Sequence, residues 1–484
     1  LVGRAPGVLR HHAREIGTGT EGLVSGTGED DHPDVRIGFG PGQMFPESGD
    51  DIPGHGIATL GPIDRKGQHR PFPHGQELSI GGVGGWTRRF FGHGTTVLGH
   101  DRSVPLAGPP GGGLPGWPQT GLTDVSGRYG VAIPLAALLS FRLGGTDGVA
   151  IEATKWQGAL GALGFATVTV AGSGPVDRTL PGLSIGAVVP PTRSELTSAL
   201  ADADLVVVEN LCSLPLNPAA ATVVAEVLAG RPALLHHHDL PWQRPQFISS
   251  PPPPNDPRWS QVTINELSRG QLASRGIEAA TIYNSFAMPA RLPDGTTATG
   301  DEERRREVRQ SLGVGDRDRL VLQPTRALDR KNVPGGIAAA RALGATYWLL
   351  GPPEDGFDGD LEAIVASSTS PVVLGPPPGH HDLPVDEAYR ACDVVALPST
   401  WEGFGNPSVE SAIHRRPLII GPYPVAAELQ AFGFRWFSLH QMAALGSFLD
   451  RPDVALLDHN LAVAQTHFSL ADLPGKIQAV LPDL

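Results

Sequence analysis

"PSTWEGFGNPSVESAIHRRPLII", Pro398 to Ile420, packs a strand end, a glycine-bearing turn, a helix start and a second apolar strand into one short stretch. The run before it, DVVALPS, reads as a buried strand, and TWEGFG is the turn at its carboxyl end. Asn406 suits the helix N-cap and Pro407 the first helical position. The helix is predicted to continue through Arg416 and to stop at Pro417. Gly403 and Gly405 would let backbone amides approach a ligand closely. The free amides and dipole of the helix start would favour an anion.

Two acids sit beside this anion-favouring turn. Glu402 lies on the turn and Glu410 in the first turn of the helix. They belong together if the anion is part of a ligand that also carries hydroxyls, because carboxylates accept paired hydrogen bonds from a diol. A nucleotide sugar has both features. The simpler alternative is that Glu410 caps its own helix and Glu402 is solvated. About 75 residues upstream, QPTRALDRKN places Arg326 and Lys331 after another predicted buried strand, RLVLQ. Arg grips phosphate oxygens bidentately and Lys supplies a mobile point charge, so the pair suits a diphosphate. An ordinary exposed basic loop is the plainer account of the same residues.

Further outward, apolar runs of four to six residues alternate with helical patterns. GVAIPLA, FATVTVAG, ADLVVVENLCS, PALLHHHDLP, SQVTIN and ATIYNSF form one series. RLVLQ, TYWLLG, PVVLG, DVVALPS and RRPLIIG form a second. Such runs indicate parallel sheets covered on both faces. The fold class is therefore α/β, with two facing Rossmann-like, doubly wound domains. Ligands of such sheets bind beyond the carboxyl ends of the strands, here the cleft between the halves. The expected boundaries are 129–290 for an N-terminal, acceptor-side domain and 291–457 for a C-terminal, donor-binding domain. A helical tail follows over 458–484 and is expected to pack back on the first domain.

The Glu-x7-Glu of PSTWEGFGNPSVES and the Arg-x4-Lys of TRALDRKN together resemble the retaining, nucleotide-sugar-dependent glycosyltransferases of the GT-B fold, family four (the glycosyl transferases group 1 type). The resemblance runs from about Tyr129 to the C-terminus. It implies that Glu410 binds the donor ribose and Glu402 the donor sugar. It also implies that the amides of Phe404, Gly405 and Asn406 hold sugar and phosphate, and that Arg326 and Lys331 stabilise the departing diphosphate. In the first half it implies a glycine-rich donor loop, here Gly144 and Gly145 of LGGTDG. A strand-end histidine is also implied, for which His236, His237 and His238 are candidates and His238, beside Asp239, is preferred. The sequence departs from the family pattern at Arg415-Arg416-Pro417, where Gly-x-Pro is usual. It departs again at Ser285, where glycine is usual, and before Glu428, where the usual glycines are absent. The activity implied is transfer of a sugar from a nucleoside diphosphate sugar to an acceptor, with retention at the anomeric carbon. The acceptor class (small molecule, glycan or lipid-linked) stays open. A sugar-nucleotide epimerase or hydrolase, or a non-catalytic nucleotide-sugar-binding protein of the same fold, are the rival functions.

No cofactor and no metal is expected. Consecutive strand residues point to opposite faces, so His236, His237 and His238 cannot all ligate one ion. The formal net charge of -13 argues against a nucleic-acid partner. No apolar run reaches the ~20 residues of a membrane span. The two widely separated cysteines, Cys212 and Cys392, read as reduced, buried thiols and favour the cytoplasm. Residues 1–128 are crowded with glycine, proline and histidine and show no sustained period. Two readings fit them, a low-order extension or a stretch outside the natural protein, and neither places chemistry there.

Overall fold

The computed structural model describes residues 133–289 and 302–484, apart from 146 and 355. Residues 1–128 and most of the expected inter-domain linker lie outside the described residues. The first half contains strands β1 (Leu135–Arg142), β2 (Ala166–Ser173), β3 (Arg178–Thr179), β4 (Leu205–Glu209), β5 (Ala233–His237), β6 (Trp259–Thr263) and β7 (Ala280–Thr281). They form one parallel sheet in the order β3-β2-β1-β4-β5-β6-β7. Helices α1 (Gly148–Ala162), α2 (Arg193–Ala199), α3 (Pro218–Leu228) and α4 (Glu266–Ala273) connect them. The second half contains β8 (Leu320–Gln323), β9 (Thr346–Leu349), β10 (Val372–Leu374), β11 (Val394–Leu397), β12 (Leu418–Ile420) and β13 (Phe437–Ser438). These are also all parallel, in the order β10-β9-β8-β11-β12-β13. Its helices are α5 (Glu302–Ser311), α6 (Val333–Ala342), α7 (Asp358–Ala366), α8 (Val385–Ala391), α9 (Pro407–Ile413), α10 (Pro424–Gln430), α11 (Met442–Asp450), α12 (Val454–His467) and α13 (Leu473–Gln478).

Each strand order reverses once, between β1 and β4 and between β8 and β11. A reversal of this kind opens a crevice at the carboxyl edge of the sheet. The central strands are buried along their length, as their unbroken apolar runs require. Among the described residues no helix is long and apolar enough to cross a membrane. Cys212 and Cys392 are buried and unpaired with each other.

Three local expectations need correction. The run GVAIPLA, 130–136, contributes only Leu135 and Ala136 to β1 among its described residues, because Pro134 has no N–H to give the ladder, and the strand runs on to Arg142. The helix after the acid pair ends at Ile413, not Arg416. Arg415 takes a left-handed conformation (φ 52°), and the amides of Arg415 and Arg416 turn back to Ala412 and Ser411. Asn406 is not a side-chain cap. Its backbone is already helical, and its Oδ1 instead accepts from Asn284 Nδ2 at 2.9 Å.

The tail returns to the first half. The Phe286 amide donates to the Phe468 carbonyl and the Leu470 amide to the Phe286 carbonyl, both at 2.8 Å, and Leu470, Leu473 and Ile477 join the core beneath β1 and α1. At the junction of the halves, Phe404 packs among Tyr283, Phe286 and Phe468. Polar bonds accompany this packing. Glu428 of α10 accepts from the Glu266 and Leu267 amides at the start of α4, at 2.6 and 3.2 Å, and from Tyr283 Oη at 2.7 Å. Asn265 Nδ2 donates to the Gly403 carbonyl at 2.6 Å. Glu428→Ala deletes the acceptor of three such bonds at once. Bonds to a charged group are worth about 1.5–3 kcal/mol each, less for partners that water can reach. Amide hydrogen exchange should speed up first at the start of α4, while β8 and β11 keep their protection. Unchanged exchange at Glu266 and Leu267 would contradict the junction described.

Candidate functional site

The loops leaving β8 and β11, the strands flanking the second sheet's reversal, are bonded to each other. The Thr400 amide donates to the Arg330 carbonyl at 2.9 Å, and Asn332 Nδ2 to the Pro398 carbonyl at 3.1 Å. Asn332 adopts a left-handed conformation and caps α6 through its side chain. This fixes the end of the turn that carries Lys331. Gln323, held by Tyr347 Oη, accepts at Oε1 and donates at Nε2 to the Lys331 carbonyl.

Within this frame Lys331 Nζ donates to Glu402 Oε1 at 2.6 Å, and Arg330 Nη1 to Glu402 Oε2 at 3.2 Å. Lys331 and Glu402 are both buried, 9% and 6% exposed. Glu402 is therefore not the solvated acid of the simpler alternative. Burial alone would raise its carboxyl pKa, but the Lys331 and Arg330 charges outweigh burial and hold it below the ordinary value. Arg326 stands at the rim, half-exposed and ion-paired with Glu354, and its charge reaches Lys331. Arg330, which contacts Glu402 directly, was passed over in the sequence although it lies between the two cations that were chosen.

Gly403 needs its missing side chain. A Cβ there would come within 2.7 Å of the His238 carbonyl in the other half. Gly405 has φ +88°, and a Cβ would collide with Tyr423. The Phe404 ring is buried in the junction, and its carbonyl accepts from Tyr423 Oη at 3.3 Å. Glu410 is half-buried and accepts from Tyr389 Oη at 2.5 Å, and so does not close its helix through its own side chain.

In the first half, Gly144 and Gly145 stand exposed in the loop after β1, just before Asp147, which caps α1. His236 and His238 share one face and His237 takes the other. His237 bonds Ser213 and Gln261, both at 2.6 Å, and burial lowers its pKa to about 4. Glu209, the last residue of β4, meets both of its partners on the shared face. His236 Nδ1 is 2.9 Å and His238 Nε2 2.8 Å from the same carboxylate oxygen. These three groups also form a possible metal-ligand set. Ligands of one tetrahedral zinc at about 2.0–2.1 Å stand about 3.3 Å apart. The observed spacings are those of hydrogen bonds. Trp156 packs on His236 with ring centroids 4.2 Å apart. Lys155 pairs with the buried Glu152 at 2.5 Å, and its charge is felt at Glu410 across the cleft. Glu209, Glu152 and Lys155 were not singled out in the sequence. A lone Glu closing the apolar run LVVVE was the available signal for the first.

No family model matches the chain. Mannosylglucosylglycerate synthase of Thermotoga maritima is 23% identical over 343 residues, 59% of this chain and 78% of that protein. The enzyme of the same name from Petrotoga mobilis is 24% identical over 389 residues, 63% of this chain and 86% of that protein. Among solved structures, Anabaena HepE in complex with UDP and glucose matches with a TM-score of 0.55 at 17% identity, over 72% of this chain and 98% of its own. A glycosyltransferase from Rickettsia africae matches with a TM-score of 0.53 at 14% identity, over 72% and 97%. The architecture is thus that of the GT-B glycosyltransferases, two parallel-sheet α/β domains.

Glu402→Gln leaves Lys331 without its charged partner in a buried place, at a cost of about 3 kcal/mol in denaturant unfolding. The double variant Lys331→Met/Glu402→Leu should lose less than the single one. The wild-type contribution of Glu402 is complete above the ordinary glutamate value of 4.5 and fades as pH falls through its lower folded value. The Glu402→Gln protein should therefore show a shallower loss of stability in acid than the wild type.

Proposed function

We propose that the chain is a glycosyltransferase that moves a sugar from a nucleoside diphosphate sugar to a hydroxyl acceptor. The observation that carries this reading is the buried Lys331–Glu402 pair at the reversal of the second sheet, with the half-exposed Arg330 against the same carboxylate. Cations held in a place of low dielectric stabilise a developing negative charge far better than they would in water. A departing diphosphate is such a charge. Lys331 and Arg330, with Arg326 at the rim, are assigned to it. Glu402 holds the cations in place and is assigned to the donor sugar, and Glu410 to the ribose hydroxyls. The amides of Phe404, Gly405 and Asn406, and the loop at Gly144 and Gly145, complete the donor side in this reading, with His238 facing from the first half.

The relatives named above support the reaction class, and the bound UDP, UDP-glucose and glucose of HepE support the donor class. We further assign retention of anomeric configuration, by attack from the face the diphosphate leaves, with the leaving phosphate taking the acceptor proton. With the charge of the leaving group met by side chains, the reaction in this reading proceeds without a metal or other cofactor. The site of action is assigned to the cytoplasm, where both cysteines remain reduced.

Thermal-shift screening against UDP-, GDP- and ADP-sugars, followed by product analysis with and without added glycoside acceptors, tests the proposal. One donor should raise the melting temperature, and transfer should exceed hydrolysis. NMR of the product should show the donor's anomeric configuration. Lys331→Ala should lower kcat by about 100-fold or more. Glu410→Ala should raise the donor KM by about 10- to 100-fold, the worth of a charged hydrogen bond. Stabilisation by no nucleotide sugar, or turnover to free sugar alone, would overturn the assignment to transfer.

A further inference from the structure

The buried cluster at the carboxyl ends of β4 and β5 has a feature that packing does not require. β4 reads LVVVE, and its final Glu209 is fully buried. A carboxylate in such a place is costly unless bonded, and an amide of the same shape would be cheaper to bury. Its Oε2 takes two hydrogen bonds, from His236 Nδ1 and His238 Nε2, whereas its Oε1 has no partner. His236 is backed by Trp156 and is held in place by packing. His238 is held at its backbone as well. Its amide donates to Asn210 Oδ1 at 3.1 Å, and its carbonyl lies against Gly403, next to Glu402. With Nε2 committed to Glu209, Nδ1 is the ring atom left for a ligand.

We propose that Glu209 is a positioning residue, which holds the His238 ring in one orientation with the proton on Nε2 and so presents Nδ1 to the ligand in the cleft. The logic is that of a carboxylate orienting an imidazole in a hydrolase triad, transferred to a parallel-sheet edge. Through the second bond, His236 prevents the carboxylate from rotating away. The charged groups facing His238 are Glu209 from β4, His236 from β5, Glu152 from α1 and the adjacent Asp239. Burial opposes the imidazolium, and Glu209 is the largest influence in its favour. The effect on turnover rests on the transfer reaction proposed above, but the orientation and tautomer do not.

The test uses the full chain, with ¹⁵N-labelled histidine followed by NMR across pH, together with kinetics on the donor found by screening. In the wild type, His238 should be an Nε2–H tautomer when neutral and should titrate above the ordinary imidazole range. In Glu209→Gln it should titrate at lower pH, the limb of the pH–rate profile owned by His238 should move with it, and kcat should fall about 10- to 100-fold while the donor KM stays within about threefold. Glu209→Asp, which keeps the charge but shortens the reach, should recover the titration in part. In a His238→Ala background, Glu209→Gln should cost little more. A wild-type His238 carrying its proton on Nδ1 overturns the proposal whether or not the variants fold. So does stoichiometric zinc or iron that is present in the purified wild type and lost in Glu209→Gln. An unmoved titration in Glu209→Gln does the same. If neither protein transfers sugar from any nucleotide donor, the functional reading fails, and the imidazole spectra still decide the role of Glu209.

Discussion

The second half is organised around one buried contact, Lys331 against Glu402 at 2.6 Å. Neither charge can be left alone in that place, because an unpaired buried ion costs several kcal/mol. The two residues are 71 positions apart in the chain, so the contact requires β8 and β11 to be neighbours and their exit loops to be locked. The bonds from Thr400 to Arg330 and from Asn332 to Pro398 do the locking, and Gln323 holds the Lys331 carbonyl from beneath. Arg330 adds a second cation to the same carboxylate, so that two cations meet one acid. Such a pair contributes little net stability compared with apolar residues of the same size.

Much of this organisation could be read from the sequence, and for a simple reason. A central parallel strand is buried on both faces, so VVAL, LVLQ and LVVVE announce themselves as short apolar runs between helices. The residues that follow such runs lie beyond the carboxyl ends of the strands by construction, which is why the sequence placed Lys331 and Glu402 in neighbouring loops. Local detail was less accessible. Whether Asn406 caps a helix or reaches across to Asn284 depends on the other half of the molecule, which no local pattern encodes. The end of α9 turned on a left-handed Arg415, and arginine carries no preference for that conformation. Arg330 and Glu209 were overlooked because each matters only through a partner on another strand.

The triple histidine shows the same limit in sharper form. Alternation along a strand separates His237 from His236 and His238, and that much follows from the pleat alone. What the pair on one face would meet could not be inferred. The answer, a single carboxylate oxygen from the neighbouring strand, depends on register, with Glu209 paired to His236 across the ladder. A one-residue slip would have turned Glu209 to the other face and left both imidazoles facing apolar neighbours.

The distribution of charge also bears on how the halves move. Every ion pair described lies within one half: Glu152 with Lys155, Glu209 with its histidines, Asp239 with Arg244, Glu354 with Arg326, and Glu402 with Lys331 and Arg330. The contacts that bridge the halves are of another kind. Asn265 meets a carbonyl, Asn284 meets Asn406, and Glu428 meets backbone amides and a tyrosine hydroxyl. Separating the halves breaks these bonds but parts no ion pair, and water can take the place of the neutral donors and acceptors and solvate the half-buried Glu428 carboxylate. The larger resistance comes from the aromatic junction around Phe404 and Phe468. Charge pairing is thus settled inside each half, and the seam between the halves is held by hydrogen bonds and by aromatic packing.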